Sequence, residues 1–315
     1  MIQAQATYNL LMIRPVQFKF NEETASSNAF QDASAHELQP SLTQADALRE
    51  FDEMANRLKS AGVNVIVFDD VADSYSPDSI FPNNWVSFHH SGKVVLYPMQ
   101  AENRRAERRM DIIHALQKDF QVDVVLDFSH FEGEEKFLEG TGSLVLDRMH
   151  RIAYACLSSR TNEDVLAAWA KQMNGYKIVK FHAHDQNNLP IYHTNVMMCI
   201  GNTFAVVCLD AITNPDERLQ VRDILEKSGK HIIPISLEQM ANFAGNMLLI
   251  SKKNGHRMLV MSTRAYQSLS KAQIDELDDY AEIMHFDLVL MDIQMPIMNG
   301  YEATNEIRKI NPKAI

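Results

Sequence analysis

Four places in this 315-residue chain gather side chains able to move protons or grip nitrogen-rich groups. Asp78, Asn83 and Asn84 lie in DSIFPNNW, Glu139 in FLEGTGS, His193 and Asn195 in YHTN, and Asn246 in AGN. The imidazole of His193 can take and return a proton near neutral pH. Glu139 precedes a glycine-rich turn, where backbone comes close to something. A carboxylate there can hold a planar guanidinium by paired hydrogen bonds. Plainer readings stand beside these: a strand-edge histidine bonded to backbone, a solvated loop glutamate, and an Asn-Asn pair that marks a turn.

The elements that must position these residues come from a repeat. Apolar run, short polar turn and second apolar run recur from Asn83, Gly140, His193 and Ala244, with landmarks Asn84, Gly142, Asn195 and Asn246 spaced 58, 53 and 51 residues apart. A period of this length signals an array built from one supersecondary unit. Helices are expected over Gln100–Phe120, Asn162–Asn174, Asp216–Ser228 and Lys271–Ala281, the first three each entering a further strand. Each unit then reads ββαβ. At the N-terminus, Tyr8–Arg14 reads as a strand stopped by Pro15, and Leu48, Phe51, Met54 and Leu58 mark a helix over Ser41–Ala61 that Gly62 ends. In a cyclic array, polar residues at unit starts face the axis, where a site would form.

Composition narrows the classes. Thirty basic against 41 acidic residues give a net charge of -11, which disfavours nonspecific nucleic-acid binding. Three cysteines, Cys156, Cys199 and Cys208, sit in apolar runs, which suits a reducing cytoplasm better than a disulfide framework. No apolar run approaches the roughly 18 residues of a membrane span, and no glycine-rich phosphate loop occurs. His182 and His184 have ligand-like spacing without an evident third partner, so no metal is expected. Arg104, Arg105, Arg108 and Arg109 read as a solvated helix face, from which one could meet a substrate carboxylate.

The stretches MIRPVQFKFNEETASSNAFQ, DSIFPNNWVSFH, RRAERR, FLEGTGSLVLDR, AYACLSSRT and IYHTNVMMCIGNTFAVVCLDAI together resemble citrulline-utilisation-type hydrolases of the amidinotransferase and arginine deiminase superfamily. The resemblance runs from about Tyr8 to His285. It implies the pentein fold, a five-module α/β propeller. It also implies hydrolysis at a guanidino or ureido carbon through a covalent cysteine adduct, with no metal or organic cofactor. Carried over by motif, His193 is the acid/base and Glu139 the substrate-holding carboxylate, with Asp78, Asn84 and Asn195 lining the substrate pocket. Related enzymes often carry aspartate where this chain has Asn84 and Asn195. Asparagine is both donor and acceptor, which tilts the pocket toward neutral citrulline over arginine.

The resemblance also implies a nucleophilic cysteine in a fifth module, and this sequence has no cysteine after Cys208. From Phe286 it reads FDLVLMDIQMPIMNG, which looks like the middle of a response-regulator receiver domain with Asp292 at the phosphoacceptor position. Some 30 residues fall far short of a receiver. Among the other thiols, Cys199 stands about 20 Å along a strand from His193. Cys208 would join the His193 face only if a two-residue turn at Gly201-Asn202 paired it with Asn195; a three-residue turn pairs it with Val196. A free cysteine in an apolar strand is usually core.

The expectations are therefore an α/β pentein-type propeller over residues 1–285, its fifth module incomplete or replaced, and a receiver-like fragment over 286–315. The chain should be cytoplasmic and bind a small citrulline- or arginine-like molecule, without nucleic acid or membrane as partner; a homo-oligomer is left open. Its catalysis is expected to fail for want of the thiol. The rivals are a regulatory ligand-binding protein and a truncated signalling fusion.

Overall fold

Short runs rich in Val, Ile and Leu, too brief to bury themselves alone, pair into five small sheets covered by helices. The structure is a computed structural model that describes residues 4–18, 21–25, 40–72, 76–173 and 175–286. The chain opens with β1 (Asn9–Arg14), a single turn α1 (Glu22–Ala25), the long helix α2 (Pro40–Ser60) and β2 (Asn64–Asp69). β2 lies parallel to β1, from Asn9 opposite Asn64 to Arg14 opposite Asp69.

The ββαβ unit then appears four times. First come β3 (Val86–Phe88), β4 (Lys93–Leu96), α3 (Met110–Leu116) and β5 (Val124–Asp127). The second unit has a turn of helix, α4 (Gly140–Ser143), before β6 (Leu144–Asp147), β7 (Ile152–Cys156), α5 (Glu163–Gln172) and β8 (Lys177–Phe181). The third is β9 (Met198–Ile200), β10 (Phe204–Val207), α6 (Pro215–Lys227) and β11 (His231–Pro234). The fourth is α7 (Leu237–Ala241), β12 (Leu248–Ser251), β13 (Arg257–Ser262), α8 (Thr263–Ser268), α9 (Lys271–Asp278) and β14 (Glu282–Phe286). In each, the first two strands are antiparallel and the third joins parallel to the second.

The fifth sheet stands at the N-terminus. β1, α2 and β2 repeat the last three elements of the unit, so among the described residues only the leading antiparallel strand is missing. The receiver-like stretch beyond Phe286, with Asp292, falls outside the described residues. Phe286, where the receiver-like stretch of sequence begins, ends β14: it pairs with Ser262, is 2% exposed, and lies under the Arg57 guanidinium.

Helix faces follow the local pattern with small shifts. α2 buries Ala47, Phe51, Ala55 and Leu58, while Leu48 and Met54 sit half-buried on its flanks. Asn162 caps α5 and Asn214 caps α6, each side chain accepting two backbone N–H groups. The helix expected over Gln100–Phe120 breaks instead. A 3-10 turn spans Asn103–Glu107, Arg108 and Arg109 turn extended, and α3 begins at Met110. That break separates the four arginines: Arg105 and Arg108 share Glu132, while Arg104 and Arg109 take other partners. No helix among the described residues is long and apolar enough to cross a membrane.

Candidate functional site

The starts of successive units meet backbone to backbone. Gly140, at φ +46°, lies so close to the first unit that an added Cβ would stand 2.1 Å from Asn83 O. At Gly142 it would stand 2.4 Å from Asn84 Nδ2 and 2.8 Å from His193 Nδ1. At both places a side chain would occupy space already filled by the neighbouring units. Thr194 Oγ1 donates to Ser143 O at 2.6 Å and accepts the Cys156 N–H at 2.7 Å, which pins the turn after His193.

Glu139, fully buried, is where the chemistry converges. Its Oε2 lies 2.8 Å from His193 Nε2, 3.4 Å from Arg160 Nη1 and 3.9 Å from Arg104 Nη1. Its Oε1 accepts the Gln100 N–H at 3.0 Å. Burial alone would push the Glu139 carboxyl up; Arg160, the His193 hydrogen bond and Arg104 reverse this and hold it well below the usual carboxylate range. For His193, burial outweighs the pull of Glu139 and lowers the imidazole below its ordinary value. An ionised carboxylate only accepts, so the neutral ring carries its proton on Nε2 and presents a lone pair at Nδ1.

The other expected residues fall around this centre. Asn84, 5% exposed, accepts from Arg104 Nη2 at 3.1 Å. Asp78 lies 3.7 Å from Arg104 Nε and accepts from Asn21 Nδ2 at 2.6 Å. Asn195 stands in the turn after His193, where its backbone oxygen accepts from Asn246 Nδ2 at 3.3 Å.

Glu107 and Arg160 were not singled out from the sequence, and Arg104 only as one of four arginines of which one could meet a substrate carboxylate. Arg104, read as part of a solvated face, is 3% exposed, and its Nε and Nη2 are gripped by both oxygens of buried Glu107 at 2.8 and 3.0 Å. Arg160, at the end of the β7 turn, comes from SSRT and lies over the Tyr192 ring. Both arginines lie in family-like stretches, Arg104 in RRAERR and Arg160 in AYACLSSRT, and that was the signal the sequence offered. The remaining arginines of RRAERR go elsewhere: Arg105 and Arg108 reach Glu132, and Arg109 reaches Asp111.

Cys208 is placed away from either expected pairing. The hairpin turn is Asn202-Thr203, with Gly201 bonded to Phe204, so Cys208 donates its backbone N–H to Met197 O, and its side chain joins the apolar core. Burial pushes the thiols of Cys156 and Cys199 up to about 12 and that of Cys208 up to about 11. His182 pairs with Glu217, and among the described residues no three His, Cys, Asp or Glu side chains are grouped to hold a metal ion.

The profile of the family described as N,N dimethylarginine dimethylhydrolase, eukaryotic, matches residues 14–293. The chain belongs to this family. The match starts at the last residue of β1, takes in β2 and the four ββαβ units, and passes beyond Phe286. Among solved structures, the chain is similar to ArgZ, an arginine dihydrolase from the ornithine-ammonia cycle in cyanobacteria, with a TM-score of 0.67 and 16% identity. That likeness covers 88% of this chain and 37% of ArgZ, so the chain spans little more than a third of the larger enzyme. It covers 90% of the ArgZ N-terminal domain, seen as a mutant bound to substrate. A mutant of DDAH from Pseudomonas aeruginosa complexed with citrulline superimposes with a TM-score of 0.59 and 15% identity over 90% of this chain and 92% of that one. These likenesses establish the fold: α/β, built of small sheets. Separately, 91 residues, 28% of this chain, are 29% identical to the autoinducer 1 sensor kinase/phosphatase LuxN of Vibrio harveyi and of Vibrio campbellii. That stretch spans only 11% of LuxN.

Proposed function

We propose that this chain binds a free amino acid bearing a ureido or guanidino group, citrulline before arginine, and that this polypeptide does not hydrolyse it. The observation that carries the reading is the meeting of His193, Arg160 and Arg104 on one oxygen of Glu139. Two arginines can receive an α-carboxylate, while Glu139, Asp78 and the Asn84 amide suit the planar nitrogen end. Asn195, beside His193, offers a further amide. In the family's chemistry Glu139 would hold the substrate and His193 would move the proton. The attacking group must be a thiolate, and the three thiols of this chain are buried, protonated core groups.

The five sheets are read as blades around one axis. Supporting this, Gly140 packs on Asn83, Gly142 on Asn84 and His193, and Gly245 on Val196 and Met197, each linking one unit to the next. Ser251 N–H to Thr7 O joins the fourth unit to the N-terminal sheet. Residues 1–285 form this unit in the proposal, in the cytoplasm.

The test is calorimetric titration of the purified chain with citrulline, arginine and dimethylarginine, alongside release of ammonia or dimethylamine. Binding without release is expected. Turnover that disappears in Cys208→Ala would overturn the inactivity, and absence of any binding would overturn the site. The LuxN likeness favours a second reading, a signalling fusion in which Asp292 accepts phosphate. Acetyl phosphate with Mg²⁺ would label Asp292 in that case and leave it unlabelled in the first.

A further inference from the structure

An arginine side chain carries five N–H donors in a rigid fork. In Arg104 the Nε and Nη2 edge is taken by both oxygens of Glu107, and Nη2 also reaches Asn84 Oδ1. Nη1 has no hydrogen-bond partner among the described residues; its nearest carboxylate oxygen is Glu139 Oε2 at 3.9 Å, beyond bonding range. Arg104 is thus largely buried, while its unspent Nη1 end keeps some exposure through which a ligand's oxygens can reach it. Glu107 is what keeps it so. It follows Arg104 by three residues within one 3-10 turn, and the bidentate clamp fixes the plane of the guanidinium.

We propose that Glu107 is a positioning residue that aims the free Nη1 of Arg104 at the carboxylate of the bound amino acid. The inference rests on the reading of the site given above. Without the clamp, Arg104 can swing the short remaining distance onto Glu139 and spend its last donors inside the protein. The ligand carboxylate would then have to displace an internal ion pair. Asp78 and Glu139 also face Glu107, and burial in their company pushes the Glu107 carboxyl up to about 7, so the clamp is firmest above neutral pH.

The test compares two probes on the full chain at pH 8: citrulline, and N-carbamoylputrescine, which keeps the ureido end and lacks the carboxylate. In Glu107→Gln, whose amide N–H would confront Nη2, citrulline should bind at least about tenfold more weakly while carbamoylputrescine binds as before. Glu107→Asp, with the same charge on a shorter arm, should show the same split and serves if the glutamine variant does not fold. Equal loss for both probes would make Glu107 merely structural and sink the proposal, as would unchanged or tighter citrulline binding. If the wild-type chain binds neither probe, the reading of the site fails and this inference falls with it. If wild type binds both and the variants show no split, the inference alone fails.

Discussion

Glu139 and His193, 54 residues apart in sequence, meet at 2.8 Å with both side chains buried. The contact spans two ββαβ units, so it reports the packing of units as much as the chemistry of either residue. Glu139 also neutralises Arg160 and Arg104. In Glu139→Gln Arg160 and His193 lose the anion they bond while Arg104 keeps Glu107, and removing one partner of a buried ionic network costs about 3–5 kcal/mol. Urea unfolding at pH 7.5 should show a loss of that order; a loss below about 1 kcal/mol would contradict the buried network.

Gly142 backs the Asn84 amide and the His193 ring at distances no Cβ can share. Gly142→Ala should displace both, cutting citrulline binding by about tenfold or more, while overpacking costs about 1–3 kcal/mol. Calorimetry and thermal melting together check this: full affinity in a folded variant would mean that the two side chains do not form the pocket.

All three thiols are driven upward by burial, to about 12, 12 and 11. Since the thiolate is the reactive form, native protein should resist a thiol-specific chromogenic reagent at pH 8 and release three equivalents only in denaturant. A single fast-reacting thiol in the native protein would identify an accessible nucleophile.

His89 bonds Ser87 Oγ at 2.8 Å, stands beside Arg148, and is lowered to about 3 by burial first, then by Arg148 and Lys93. Unfolded histidine takes a proton below about 6.5 and the folded ring does not, so stability is present above that pH and falls as acid is added. His193 acts in the same direction, whereas Glu107, raised to about 7, acts oppositely. Comparing His89→Gln with wild type isolates one group. The variant should lose about 2 kcal/mol less stability between pH 6.5 and 5. Parallel curves would show that His89 is not held neutral.

Lys230 and Asp147 form an ion pair 3.0 Å long with both side chains inaccessible, and Lys230 also donates to Asn202 O at 2.7 Å. The pair ties the third unit to the second. Asp147 also holds His150 Nδ1 at 2.9 Å, so the comparison is made in a His150→Ala background: there Lys230→Met should cost about 3–5 kcal/mol, and adding Asp147→Leu should recover much of it, because no charge then stays buried without its ion partner. Equal losses in the two would argue against that accounting.

What the sequence determined by itself is the local part. Alternating apolar runs, caps at Asn162 and Asn214, and a spacing of 51 to 58 residues make the hairpins, helices and repeat legible. Periodicity registers a face and a turn, and both are set within a dozen residues. Motif resemblance added Glu139 and His193. The tertiary structure alone decided the rest. A helix broken at Arg108 turned Arg104 inward, Arg160 came to the same carboxylate from the other side, and a hairpin turn placed at Asn202-Thr203 put Cys208 opposite Met197. It also completed the fifth sheet from the N-terminus, apart from one strand among the described residues. None of these has a local signature, because an ion pair between units depends on which loops reach one another after the sheets have packed.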